Sequence, residues 1–382
     1  MNFADLADDF TGETHPLYEL LERLRGEGRE IVDLVKGNVS EAGIQFPQEI
    51  LDDILLKAAK QAAVYKPDPF GQISARNAIS SYCNAEPIRA DRIVLTPGTS
   101  LSYLYCFRML AQAGDEILCP TPSYPLLDFI ARMAGVTLRY YNLSKELNWQ
   151  IDIADLEQKI THKTRAIVLI TPHNPTGMVC SQTALELIAE LAKQHQLPII
   201  SDEVFNEFLF ELDQLPRIAG TNAPLVLTLN GLSKSFALPG MKLGWIAVSG
   251  EEQLVKKSLS VLETISDTFL PVNETVQFAT AEIFERGKDF QQQYKRKVSN
   301  LRKIAIDALD GTRFCPPQGG FYITVKINCD EVETAMRLLK QENILVHPGH
   351  FYEIEGNHLV ATFIYEEQQL AKSLKSIVDL SR

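Results

Sequence analysis

Apolar residues recur along this chain in short blocks whose period changes, and the changes outline a fold. Residues 15–25 and 47–63 space them as helices do, with a strand-like run at 31–35 between. Pro67-Asp68-Pro69 stops the second helix. From there the pattern predicts strands at 93–96, 116–119, 137–141, 166–171, 197–201, 225–229 and 243–248, interleaved with helices at 100–111, 126–134 and 181–194. Strands alternating with helices of this size predict an α/β fold, a mostly parallel, doubly wound sheet with helices on both faces. Functional groups should collect at its strand ends.

After Gly250 the alternation stops. Residues 251–263 and 274–309 read as helices, the second long enough to bridge two domains. A smaller α+β segment follows, with strands at 320–327, 344–346 and 359–363 and helices at 331–342 and 368–378. The N-terminal segment is too short to fold alone and is expected to pack on this C-terminal part. The expected division is an arm and part of the small domain at 1–46, a large domain at 47–270 and a small domain at 271–382, so that the small domain draws on both termini.

Composition narrows the function. A chain of 382 residues exceeds one ordinary core. With 45% hydrophobic and 23% charged residues it reads as a globular protein. Its net charge of −12, with no basic block, argues against nucleic acid or an anionic membrane as partner. No run reaches the length of a membrane span, and Met1 to Asp5 lacks the basic and apolar regions of a secretion signal. Six scattered cysteines without CxxC spacing suggest reduced core residues and a cytoplasmic location. No metal site is expected, because His347 and His350 flank a Pro-Gly turn without further ligands.

Candidate chemistry sits where the predicted strands end. Lys234 follows the 225–229 strand among small residues. An enclosed lysine there would lose part of its basicity and become a nucleophile toward an aldehyde. Alone, a Ser-Lys pair near a turn is more often a solvated loop. Three other strand ends carry Thr96-Pro97-Gly98-Thr99-Ser100, Thr171-Pro172-His173-Asn174-Pro175-Thr176-Gly177 and Ser201-Asp202-Glu203-Val204-Phe205. Gly98, Thr99 and Ser100 open a helix, where backbone N–H groups and the dipole suit a phosphate, although an ordinary N-cap explains the same residues.

These four motifs stand in order, with 28 residues from Asn174 to Asp202 and 32 from Asp202 to Lys234. Together with Ser123-Tyr124-Pro125 and Val346-His347-Pro348-Gly349, they make the chain resemble, over nearly its whole length, the fold-type I pyridoxal-phosphate enzymes of the class I/II aminotransferase branch. The resemblance implies pyridoxal 5'-phosphate as cofactor, held by Lys234 as a Schiff base. The freed Lys234 amine would then move the proton between donor carbon and cofactor. It also implies Asp202 at the cofactor's ring nitrogen, Asn174 at its phenolic oxygen and Tyr124 stacked on its ring. Thr99, Ser100, Ser233 and Lys242 would lie near the phosphate, as would Tyr65 reaching into a neighbouring subunit. The partners implied are a small-molecule amino donor, a keto-acid or carbonyl acceptor and a second copy of the chain, sharing active sites in a homodimer.

The departures shape the expectation further. Lys242 stands where the family has an arginine on the phosphate, Gly231 where a serine is common, and Phe205 where a tyrosine is usual. The strand at 359–363 brings Val360 or Ala361, by position, to the place of the arginine that binds the substrate's α-carboxylate. Gly37, Asn38, His347 and His350 are the candidate substitutes. The expected reaction is ping-pong transamination. A lyase or decarboxylase on the same cofactor and a non-catalytic homologue remain the alternatives.

Overall fold

The structure, a computed structural model, describes residues 14–83, 88–146, 148–269 and 272–380. The Met1 to Asp5 stretch read for a leader and the expected boundary at 270–271 lie outside the described residues.

In chain order the first elements are α1 (Pro16–Gly26), β1 (Val32–Asp33), α2 (Gln48–Ala62) and α3 (Ile73–Cys83). There follow β2 (Ile93–Thr96), α4 (Thr99–Leu110), β3 (Glu116–Thr121), α5 (Leu126–Ala134), β4 (Thr137–Ser144), β5 (Gln150–Ile151) and α6 (Ile153–Lys159). Next come β6 (Thr164–Ile170), α7 (Gln182–Gln194), β7 (Ile199–Asp202), β8 (Leu225–Gly231), α8 (Leu232–Ser235) and β9 (Gly244–Gly250). The chain continues through α9 (Glu252–Phe269), α10 (Glu274–Arg286), α11 (Lys288–Ala308), β10 (Arg313–Phe314) and β11 (Tyr322–Lys326). It closes with α12 (Glu331–Glu342), β12 (Ile344–Leu345), β13 (His347–Pro348), β14 (His358–Thr362) and α13 (Glu367–Leu380).

Eight strands form the large sheet in the order β2-β9-β8-β7-β6-β3-β4-β5. Its centre, from β4 through β3, β6 and β7 to β8, is parallel. These strands are buried on both faces and read as continuous apolar runs, Ala-Ile-Val-Leu-Ile in β6 being the clearest. β9 runs antiparallel to both β2 and β8. The link from β8 to β9 is too short for a full crossover helix, so the chain returns alongside itself.

A four-stranded antiparallel sheet, β10-β11-β14-β13, forms the second layer system. The N-terminal segment contributes to this region. β1 pairs in parallel with β12, and α1 buries Leu17, Leu20, Leu21 and Leu24 in a core shared with Leu338, Leu345 and Leu374.

Three local expectations change. The helix expected at 274–309 is two, α10 and α11, broken at Gly287. A Cβ there would lie 2.5 Å from Ile283 O and 2.8 Å from the Phe46 ring, so the break docks closely on its neighbours. The strand at 31–35 shrinks to Val32–Asp33, because Asp33 Oδ1 accepts the N–H groups of Val35 and Lys36 and turns the chain. Helix α3 follows the proline stop, where no helix was expected. Among the described residues no helix is long and apolar enough to cross a membrane, and no group of three or more His, Cys, Asp or Glu could hold a metal.

Candidate active site

The carboxyl ends of β6, β7 and β8 lie side by side, with Ile170 paired to Asp202 and Asp202 to Leu229. This register alone brings the 171–177 loop, Asp202 and the chain leading to Lys234 to one edge. There they border a cavity of about 140 Å³, lined by Thr99, Ser100, Tyr124, Asn174, Asp202 and Lys234 among others.

Lys234 extends from α8, the single helical turn after β8. Its Nζ lies 5.7 Å from the centre of the Phe205 ring and 5.8 Å from that of Phe321. Enclosure by these rings lowers the ammonium's pKa from its ordinary value, and among the described residues no carboxylate pairs with it. An amine so placed is a nucleophile. Gly231 precedes α8 because nothing larger fits: a Cβ would sit 2.8 Å from the carbonyl oxygen of Leu243, the residue just before β9.

Asp202 opens onto the cavity but is remote from bulk water, and this burial raises its carboxyl pKa to about 6. Two donors oppose the rise. Val204 N–H donates to Oδ1 at 3.1 Å, and the Tyr103 hydroxyl donates to Oδ2 at 2.8 Å. Glu203, next in sequence, points away from the cavity by strand alternation, is fully buried, and pairs with Arg217 at 3.2 Å. Adjacent carboxylates thus take separate tasks, one in the site and one in the core.

Asn174 is presented by a loop that is tied down throughout. His173 N–H donates to Met178 O, Gly177 N–H to His173 O, Cys180 N–H to Thr171 Oγ1, and Thr324 Oγ1–H to Pro175 O. His173 Nδ1 bonds Thr176 Oγ1 at 2.9 Å, and burial drops its pKa to about 3, so it is neutral. The Asn174 Oδ1 is buried and has no protein partner. A buried amide left open at a cavity wall is a place for a ligand.

The remaining candidates divide by position. Thr99 and Ser100 begin α4, with Gly98 just before at φ 122°. Tyr124 is 43% exposed at the cavity mouth, and Tyr65 is 79% exposed beyond α2. Ser233 and Lys242 do not line the cavity, and Lys242 lies in an exposed turn. Gly37 is not in the lining but lies beside it: a Cβ there would be 3.4 Å from the hydroxyl of Tyr322, a lining residue.

Asn38, His347 and His350 are not part of the lining. Asn38 caps a short 3-10 turn by accepting from Ser40 N–H. His347 is held between Tyr18 Oη at 2.6 Å and Tyr352 Oη at 3.1 Å, and burial lowers its pKa to about 4. His350 Nδ1 bonds Glu331 at 2.7 Å. Two polar lining residues, Tyr103 and Tyr322, escaped the sequence reading. Tyr103 stands one helical turn after Thr99, a signal that was available; Tyr322 needed the strand pairing.

Comparison with known proteins gives one direction throughout. A family model described as aminotransferase class I and II matches residues 29–376. The glutamate-pyruvate aminotransferase AlaA of Haemophilus influenzae is 31% identical over 371 residues, covering 92% of this chain and 91% of the relative. Alanine aminotransferase of Mycobacterium tuberculosis is 30% identical over 351 residues, covering 87% and 81% respectively. Among solved structures, alanine aminotransferase from Pyrococcus furiosus aligns with a TM-score of 0.90 over 99% of each chain, at 26% identity.

Proposed function

We infer that this chain, which belongs to the class I and II aminotransferase family and is a pyridoxal-phosphate-dependent aminotransferase, binds its cofactor in the cavity between Lys234, Asp202 and Asn174. The carrying observation is their convergence: a nucleophilic lysine, an enclosed carboxyl and an unpartnered amide on one wall system. Lys234 fits the cofactor's aldehyde, Asp202 its ring nitrogen and the Asn174 amide N–H, as donor, its phenolic oxygen, and the start of α4 fits its phosphate. When bound, the cofactor supplies an electron sink for the pair left on the donor carbon. Lys234 provides the amine that accepts and returns the proton, Asp202 the negative charge against the ring nitrogen, and Asn174 a hydrogen bond that fixes orientation. The test is the visible absorption of the purified protein. A band that is absent in Lys234→Ala, bleaches with an amino donor and returns with a carbonyl acceptor is the expected result. A band that survives Lys234→Ala refutes the assignment.

The finer reading concerns the donor. Strand register puts Tyr322 opposite Thr362, Thr324 opposite Val360 and His347 opposite Val360, so these five share one face. Tyr322 lines the cavity, and Thr324 bonds the Asn174 loop, which identifies that face as the cavity side. These five residues are neutral, His347 included, and the one lysine further along the same face, Lys326, is not part of the cavity lining. Lys234 is the only described cation of the lining, and its amine is committed to the cofactor. A substrate α-carboxylate would therefore meet hydroxyls and no guanidinium, which favours amines without an α-carboxylate. The relatives' names support a second reading, an α-amino acid bound at Gly37 and Tyr322. Paired half-reactions, each α-amino acid against its decarboxylated amine, separate the two; faster bleaching by the amine is expected.

A second copy of the chain is the proposed partner. Val64, Tyr65, Ile73, Leu101 and Phe269 are exposed apolar residues, and Phe269 stacks at 5.9 Å on Tyr105, one turn along α4 from Leu101. A second copy of the chain covering these residues would enclose apolar surface that one copy leaves in water, Tyr65 included. Sedimentation of the purified protein as a dimer is expected, and a monomer with full activity would refute it. All six cysteines are free, which supports a reducing compartment.

A further inference from the structure

We propose that Tyr103 is a positioning residue for Asp202: its hydroxyl keeps that side chain an oriented carboxylate directed at the cofactor's ring nitrogen. The inference rests on the cofactor placement given above, and its geometry belongs to the protein alone. Asp202 has two carboxylate oxygens and two protein donors, Val204 N–H on Oδ1 at 3.1 Å and Tyr103 Oη on Oδ2 at 2.8 Å. With one donor on each oxygen, rotation of the carboxylate would break both bonds.

The direction of the second bond follows from the phenol's surroundings. Burial, reinforced by the neighbouring carboxylate, pushes the Tyr103 hydroxyl well above its ordinary pKa, so it retains its proton and donates. Burial acts on Asp202 in the opposite sense, favouring the neutral acid. Tyr103 is therefore one of two groups holding charge on Asp202 in a place that resists it. Without that charge the ring nitrogen would lose the partner that keeps it protonated.

The other titratable groups around the carboxylate do not duplicate this bond. Tyr124 faces it from the loop after β3 and Lys234 from α8, and neither hydrogen-bonds to it. Glu203 follows it in β7's continuation, with its charge taken up by Arg217 at 3.2 Å. Tyr103 also has a mechanical advantage. It lies on α4 one turn from Thr99, so a single helix sets both the donors at its N-terminus and the donor to Asp202. The spacing between the phosphate end and the acid end of the site is then that of a rigid element.

The ring of Tyr103 packs edge-on against Phe107 at 5.8 Å, a contact that Tyr103→Phe preserves while deleting the hydroxyl. Tyr294→Phe is the control, since the Tyr294 hydroxyl is buried without a partner. Cofactor-free protein labelled with ¹³C at aspartate Cγ is titrated by NMR, with Asp202 assigned through Asp202→Asn. In Tyr103→Phe the Asp202 midpoint is expected to rise by about one unit or more, and the cofactor's dissociation constant by about tenfold. Tyr294→Phe should move neither. Incorporating 3-fluorotyrosine at position 103, a stronger donor on an intact scaffold, should lower the midpoint. An Asp202 midpoint unchanged by both alterations would overturn the proposal and leave Tyr103 a packing residue. If Asp202→Asn binds cofactor as tightly as the parent, the cofactor placement fails instead, whatever Tyr103 does to the midpoint.

Discussion

Val360 and Thr324 lie opposite each other on β14 and β11, on the sheet face that carries Tyr322 into the cavity. Val360 is 1% exposed, and a charge placed there could not reach bulk water. Val360→Arg should cost about 3–5 kcal/mol in the free protein, the penalty of a buried unpaired charge. A carboxylate ligand would recover part of that loss, so the melting temperature of the variant should rise with keto-acid concentration more steeply than that of the parent. Thermal melts with and without keto acid check this. Equal ligand shifts in both proteins would mean that Val360 does not face the substrate.

Gly37 has φ 56°, and a Cβ would lie 3.4 Å from Tyr322 Oη and 3.5 Å from Thr362 Oγ1. Gly37→Ala adds backbone strain of about 1 kcal/mol and crowds the hydroxyls expected to meet the donor. The Michaelis constant for donor should rise severalfold, with little change in cofactor affinity. Steady-state kinetics and a cofactor titration on one preparation separate the two effects.

Two buried groups should oppose each other in the pH dependence of stability. Asp202 is raised from 3.8 to about 6, so its contribution is fully present below 3.8 and is lost as pH rises through 6. The loss amounts to at most about 3 kcal/mol. His173 is lowered from 6.5 to about 3, so its contribution is present above 6.5 and is lost as pH falls toward 3. Asp202→Asn removes the first effect and leaves the second. Denaturant melts of the cofactor-free variant should gain stability relative to the parent as pH rises from 3.8 to 6, and a constant difference across that window would contradict the assigned shift.

Gly231→Ser restores the residue common in the family at this point, but its Cβ would meet the Leu243 carbonyl oxygen at 2.8 Å. The variant should lose about 1–3 kcal/mol of stability through displacement of β9 from β8. It should not gain cofactor affinity. Chemical denaturation and a cofactor titration test both statements, and tighter cofactor binding would show that the strand pair yields easily.

Much of this protein was legible before folding. Lys234, Asp202 and Asn174 stood out because each closes an apolar strand block, and parallel strands deliver their carboxyl ends to one edge. The helices at 126–134 and 331–342 were also readable, since their apolar spacing is local. The break at Gly287 was present as a letter but not as a decision, because one glycine inside a helical pattern is tolerated unless neighbours press against it. Here Ile283 and Phe46 do.

What the chain alone determined is therefore the chemistry at strand ends, where identity and position follow from local periodicity. Tertiary structure decided everything that depends on pairing between distant segments. It turned β9 antiparallel, tied His347 and His350 to Tyr18, Tyr352 and Glu331, and set Val360 rather than Ala361 on the cavity side. It also brought Tyr103 to Asp202 across 99 residues of sequence. A slip of one residue in the pairing of β11 and β14 would exchange the faces of the sheet, and no local pattern in two short apolar strands specifies that register.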